Sequence, residues 1–218
     1  MNLHTRENME NVRTALDAID PSIYIYGEGW NFGSLNGNGF SDRSATQFNM
    51  AGSGIGTFND RIRDAVHGGF FNRLDQGFIN GQFYDPNGVG GNGSQDALRY
   101  SQDRIRVGLA GNLQNFSFTD RNGNVTTGGN FDGTGYTLDP QEAVNYISKH
   151  DNETLFDLNA YKLARGENGS DVTSVNDRVR VQNLGLSIVG LGQGVPFFHA
   201  GSDILRSKSL DRNSYNSG

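Results

Sequence analysis

Apolar positions recur at helical spacing from residue 6 to 19. Met9, Val12, Leu16 and Ile19 share a face, and Asp20-Pro21 ends the pattern. The next run, "SIYIYG" at 22–27, is almost wholly apolar or aromatic, the pattern of a strand buried on both faces. Residues 31–95 are loop-rich, and within them "FNDRIRDAVHGG" reads as a short helix closed by glycine. A longer helix is expected over 95–109, with Leu98, Ile105 and Leu109 inward. Turn residues return over 111–137, where "DRNGNV" predicts a hairpin. "DPQE" at 139–142 opens a helix: Asp139 caps, Pro140 suits the first position and Glu142 reaches back. "AVNYISKH" reads as a buried strand, and "DNETLFDLNAYKLA" as a helix carrying Leu155, Leu158 and Leu163. The strongest helix covers 176–191, with Val181, Leu184, Ile188 and Leu191 on one face, and "GVPFFHAG" is a further buried strand. Buried strands alternating with helices predict an α/β fold with a parallel sheet and helical crossovers. No internal repeat or linker divides the 218 residues, so one domain is expected.

Composition refines this picture. The 31 glycines are about twice the usual share. They accompany Asn and Asp in "NGNG", "NGQF", "GGNGS" and "RNGN", which is the chemistry of ordered turns. The net charge of -6 argues against a nucleic-acid or anionic-membrane partner. Cysteine is absent, so there is no disulfide framework and no thiolate metal site. The four histidines lack metal-ligand spacing, and His67 and His199 read as structural. No apolar run reaches the length of a membrane span, and the polar first residues do not read as a signal peptide. The cellular compartment stays open.

Two carboxylates occupy equivalent places. Glu28, in "YGEGW", follows the strand 23–26, and Asp151 follows the strand 144–149. The C-terminal end of a parallel strand is where α/β folds carry their active sites. Gly27 and Gly29 would let a ligand approach the backbone, His150 supplies a donor, and Trp30 a flat face for a sugar ring. Paired acids suit glycoside hydrolysis, which needs a proton donor and a second carboxylate at an oxocarbenium-like centre. A strand-end acid can also simply cap the following helix, and "HDNETL" admits that reading for Asp151. Two flanking glycines and a Trp favour function over capping at Glu28. No nucleophile-elbow, P-loop or dinucleotide fingerprint occurs.

With these residues in place, the chain resembles pullulanase or limit-dextrinase type debranching enzymes of the α-amylase clan. "YGEGW" resembles the motif of that family's acid/base glutamate, and "NYISKHDNETLFD" the segment of its transition-state-stabilising aspartate. "GIGTFNDRIRDAVHGG", "GLAGNL" and "GQGVPFFHAGSDILRSKSLDRNSYNSG" extend the likeness along essentially the whole chain. The resemblance implies the C-terminal half of a (β/α)8 TIM barrel, about strands 5 to 8, over residues 1–218. It implies retaining hydrolysis of α-1,6-glucosidic branch links in pullulan, starch or glycogen limit dextrins. Glu28 would transfer the proton, Asp151 would stabilise the distorted sugar, and Trp30, His150, Asn152 and Arg206 would bind substrate. The family's nucleophilic aspartate precedes "GEGW" in a segment of the type "DGFRFDLM", which this chain lacks, so the fragment alone is expected to be inactive. Asp42, Asp60, Asp64 and Asp75 fall in the loop excursion and are not credible replacements. No cofactor is implied, and although calcium occurs in this clan, no ligand cluster can be assigned. An isoamylase- or neopullulanase-type glycosidase and a non-catalytic α-glucan-binding protein remain the alternatives.

Overall fold

The computed structural model describes residues 4–31, 42–89, 92–164 and 172–214. The "NGNG" turn expected at 36–39 lies outside them. Five helices are described: α1 (Arg6–Asp17), α2 (Asp60–His67), α3 (Gln95–Leu109), α4 (Leu155–Lys162) and α5 (Val175–Leu191). The strands are β1 (Tyr26–Gly27), β2 (Gly56–Asn59), β3 (Ser117–Thr119), β4 (Val125–Thr127), β5 (Ala143–Asn145) and β6 (Val195–Pro196). Strands β1-β2-β5-β6 form a parallel sheet in that order, and β3 and β4 form the antiparallel hairpin that "DRNGNV" predicts.

Strand β2 is the element that the hydrophobic pattern missed. "GTFN" is four residues long and wholly buried, too short to show a period, and it runs directly into α2. The aspartates at 60 and 64 therefore belong to a strand-helix unit rather than to a loop excursion. Asn59 ends the strand and caps α2, its Oδ1 accepting from Ile62 N. Its amide also donates to Asn112 Oδ1 and to Asn145 Oδ1 at 2.7 Å, while Asn145 Nδ2 donates to Gln193 O at 2.7 Å. This buried, satisfied ladder ties β2, β5 and the approach to β6 together.

The helices bury one main core, built from Ile62, Ala65, Val66, Ile79, Ile105, Ile147, Leu155 and Val189. Side-chain alternation turns Phe58 and Val144 to the opposite sheet face, where they cluster with Tyr146, Tyr24, Trp30 and Phe197. Phe58 stacks edge-on to Tyr146 at 5.0 Å and to Phe197 at 5.1 Å. This aromatic face is only partly covered.

Several expectations need correction. The runs at 22–27 and 194–201 are not strands buried on both faces. They contribute the two edge strands β1 and β6, with Ile23, Tyr26 and Phe198 exposed. The "DPQE" signal makes its capping box, but only one 3-10 turn follows, because Ala143 enters β5 at once. On α5 the buried face is Arg178, Gln182, Gly185 and Val189, whereas Leu184 and Leu191 are exposed. Gly185 sets this rotation: a Cβ there would come within 2.8 Å of Ile147 Cδ1 and 3.0 Å of Ile79 Cδ1, so the helix approaches the core through its bare backbone.

Candidate active site

Glu28 leaves the C-terminal end of β1, and Asp151 follows the segment continuing from β5, so both project from the same end of the parallel sheet. Lys149 joins them. Its Nζ donates to Asp151 Oδ2 at 2.6 Å and lies 3.2 Å from Glu28 Oε1. The lysine side chain is 6 % exposed, against 35 % for Glu28 and 49 % for Asp151. A buried ammonium thus holds two solvent-facing carboxylates in one orientation. Its hydrogen bond, outweighing partial burial, keeps the Asp151 carboxyl below the usual carboxylate range, with the Lys149, His150 and Lys208 charges adding to the effect. Asp151 is not a helix cap, since Thr154 Oγ1 accepts from Asp157 N at the start of α4.

His150 is largely exposed, with Nε2 3.5 Å from Asp151 Oδ1. Glu28, His150 and Asp151 place a ligand-type atom each within 4.8 Å of one another. The Lys149 ammonium already supplies positive charge between the two acids, so these residues do not need a metal ion to stay together. Asn152 adopts a left-handed backbone, φ 61°. Its carbonyl and that of His150 both accept from Lys208 Nζ, which straps the segment after β6 across this corner.

Beside the carboxylates opens a cleft lined by Trp30, Asp60, Arg63, Phe70, Phe71, Lys149, Asp151 and Asn152. Four of its side chains were not singled out by sequence: Lys149, Arg63, Phe70 and Phe71. Asp60 also lines it, at the start of α2 directly after β2, contrary to its expected place in a loop-rich excursion. Burial raises the proton affinity of Asp60, but the Arg61 charge, the Gln47 hydrogen bond and Arg63 together hold its carboxyl below the ordinary value. Gln47 Nε2 donates to its Oδ1 at 2.9 Å and Arg61 pairs with the same oxygen. The visible signal for Lys149 was a cation ending a buried run between two candidate acids. Those for Asp60 and Arg63 were hidden with β2.

The expectation for Gly29 changes. Its backbone is buried, with φ 68°, and a Cβ would lie 2.8 Å from Thr57 Cγ2. Bare backbone is needed there for packing on β2, not for ligand approach. Glu28, His150 and Arg206 are not among the cleft-lining residues: Glu28 meets the lining residue Lys149, His150 adjoins Asp151, and the Arg206 guanidinium meets His199 Nε2 instead. His199 also meets Ser148 Oγ at 3.3 Å, and burial first, then Arg206, Lys208 and His150, lower its proton affinity. His67 is buried, with Nδ1 2.6 Å from Gly68 O, and burial pushes its proton affinity well down, as suits a structural histidine.

No family model matches the chain. It is homologous to pullulanases over its whole length. It is 44% identical to the chloroplastic pullulanase 1 of Arabidopsis thaliana over 229 residues, covering 99% of this chain and 23% of that protein. It is 41% identical to the pullulanase of Klebsiella aerogenes over 230 residues, covering 100% of this chain and 20% of the other. Among solved structures, the maltotriose complex of PulA from Klebsiella pneumoniae superposes with a TM-score of 0.89 at 42% identity, over 100% of this chain and 23% of that one. The chain therefore spans about a fifth to a quarter of the length of these relatives.

Proposed function

We propose that these residues form the C-terminal half of a (β/α)8 catalytic barrel and carry two of the carboxylates of a retaining α-1,6-glucosidase. Pullulan, starch or glycogen limit dextrins would be the substrates. The observation that carries the reading is the convergence of Glu28 and Asp151, from two parallel strands, on one buried lysine beside a Trp-lined cleft. The half-barrel reading draws support from four parallel strands with open edges and an aromatic face that further strands would cover. It draws support too from likeness to a much longer pullulanase.

Glu28 would protonate the departing glycosidic oxygen and later take a proton from the incoming water. Asp151, kept ionised by Lys149, would accept hydrogen bonds from hydroxyls of the distorted sugar and favour the positive charge developing at its anomeric carbon. Trp30 offers a ring face to a pyranose, and His150 and Asn152 offer polar groups at the rim. Arg206 is the least supported of the substrate contacts, because it is engaged by His199. As the resemblance implies, the nucleophile would come from a carboxylate beyond these residues; Asp60, the other acid of the cleft, is held by Gln47 and Arg61. On this reading the 218-residue chain alone does not hydrolyse pullulan, and clear hydrolysis in a zymogram would refute it.

The test is a chimera in which this segment replaces the matching segment of the Klebsiella enzyme. Maltotriose is the expected product from pullulan; panose would instead indicate a neopullulanase-type specificity. Glu28→Gln should abolish turnover while α-glucan binding survives. Near-normal turnover in that variant would overturn the acid/base role. A fluorinated glycosyl fluoride that traps the covalent intermediate, followed by peptide mass spectrometry, separates the two acids: label on Asp151 would make it the nucleophile and refute the assignment.

A further inference from the structure

Phe83 and Tyr84 stand outside the cleft, on the loop between the 3-10 turn Phe78–Asn80 and α3. Tyr84 is 75% exposed and Phe83 36%. Their rings meet edge to face, with centroids 5.0 Å apart and planes at 72°. Phe83 has φ 70°, a left-handed conformation that a bulky residue adopts only at a cost and that glycine or asparagine adopts easily. Leu205 and Leu210 share that conformation after β6.

The loop that bears this strain is firmly pinned. Gln76 Nε2 donates to Asn80 O at 2.6 Å and to Asp85 O at 2.8 Å. Asn87 Nδ2 donates to Leu74 O at 2.8 Å and to Lys162 O at 3.2 Å. Phe83 N donates to Asn92 O, and Asp85 N to Gly81 O. The next residue, Asp85, is exposed and directs no carboxylate oxygen to a partner among the described residues. A fixed turn thus presents two edge-to-face aromatic rings and an exposed carboxylate to solvent.

We propose that Phe83, Tyr84 and Asp85 form a second saccharide-binding site, separate from the cleft, for a stretch of α-glucan chain. The apolar C–H face of one pyranose would lie on the Tyr84 ring with its edge against Phe83, and Asp85 would accept from a sugar hydroxyl. Preorganisation of the loop spares the ordering cost that a mobile aromatic would incur on binding. The choice of ligand rests on the α-glucan reading of the cleft; the geometry of the corner does not.

The test is affinity electrophoresis of the 218-residue chain in gels containing amylopectin, with Trp30→Ala as the background that removes stacking in the cleft. Trp30→Ala should remain retarded. Adding Tyr84→Ala should raise the apparent Kd about tenfold, the scale of one lost stacked ring. Phe83→Asn, which keeps the left-handed backbone, should lose retardation with an unchanged or higher Tm. Free migration of Trp30→Ala, or full retardation with Tyr84→Ala and Phe83→Asn, would overturn the proposal. So would a shift from dimer to monomer in Tyr84→Ala with retardation intact, which would assign the corner to self-association. Failure of the cleft reading has a different signature: native Trp30 fluorescence that does not respond to maltotriose, with retardation abolished only by the Tyr84 and Phe83 variants.

Discussion

Gly29→Ala tests how the "GEGW" turn is built, and its cost can be worked from geometry. At φ 68° an L-residue loses roughly 1–2 kcal/mol relative to glycine. The new Cβ would also lie 2.8 Å from Thr57 Cγ2, 3.0 Å from Thr57 Cβ and 3.2 Å from Gln47 Cγ. Thr57 is buried in the wholly buried strand β2, so relief requires movement of the turn, and overpacking of this kind costs about 1–3 kcal/mol. The sum is about 2–5 kcal/mol, a large fraction of the stability of a domain this size. Urea unfolding followed by Trp30 emission measures it, because Trp30 is the single tryptophan and adjoins the mutated residue. Thr57→Ala removes the closest atom but keeps Thr57 Cβ at 3.0 Å and Gln47 Cγ at 3.2 Å, so the double variant should recover only part of the steric cost, a coupling of about 1 kcal/mol, and leave the backbone part. A loss below about 0.5 kcal/mol for Gly29→Ala, or strict additivity with Thr57→Ala, would refute this account of the turn.

Lys149→Met should release both carboxylates from their shared partner. The Asp151 titration, followed by NMR of its side-chain carboxyl, should move upward, and in the chimeric enzyme kcat on pullulan should fall by more than tenfold. An unmoved Asp151 titration would remove the lysine from its positioning role. Lys162 gives a pH signature. It is fully buried, and burial, resisted by Asp75, Asp64 and Glu153, lowers its pKa to about 8. The unfolded chain then binds more protons than the folded one from about pH 8 up to the ordinary lysine range near 10.5, so stability from this group rises across that window. Differential scanning calorimetry from pH 7.5 to 10.5 should show this rise in the native chain and its absence in Lys162→Met. A flat profile in both would contradict it.

Helices were legible wherever a long amphipathic pattern ended in recognisable caps. Arg6–Asp17 and Gln95–Leu109 both start at a hydroxyl cap, Thr5 and Ser94, and both emerge close to the expected bounds. Strands were legible as apolar runs but not as lengths or layers. An apolar run reports that its residues avoid water, not which sheet neighbour covers them, so the runs that supply the edge strands β1 and β6 read as buried strands. Short β2 had too few residues for any period, and its loss hid Asp60 and Arg63 from the site. The shared end of the sheet for Glu28 and Asp151 was legible because both follow strands that run parallel, which sends the chain after each out at the same end. Lys149 was not, because its role depends on a contact between residues 121 positions apart.

That contact also explains why the two acids differ in surroundings while sharing one cation. Lys149 sits on Asp151 at 2.6 Å and on Glu28 at the longer 3.2 Å, so its charge is committed more strongly to Asp151. A group that must stay ionised to favour a developing positive charge gains from the closer ammonium. On the proposed roles, the group that alternates between acid and base would have the looser contact. The asymmetry predicts unequal consequences of changing the length of the cation's two neighbours: Asp151→Glu, one methylene longer, pushes its carboxylate into Lys149 and should disturb Glu28 through it, whereas the shorter Glu28→Asp withdraws from Lys149 and should leave the Asp151 titration nearly unchanged. Equal effects of the two substitutions on the partner's titration would show that the lysine does not discriminate between the acids.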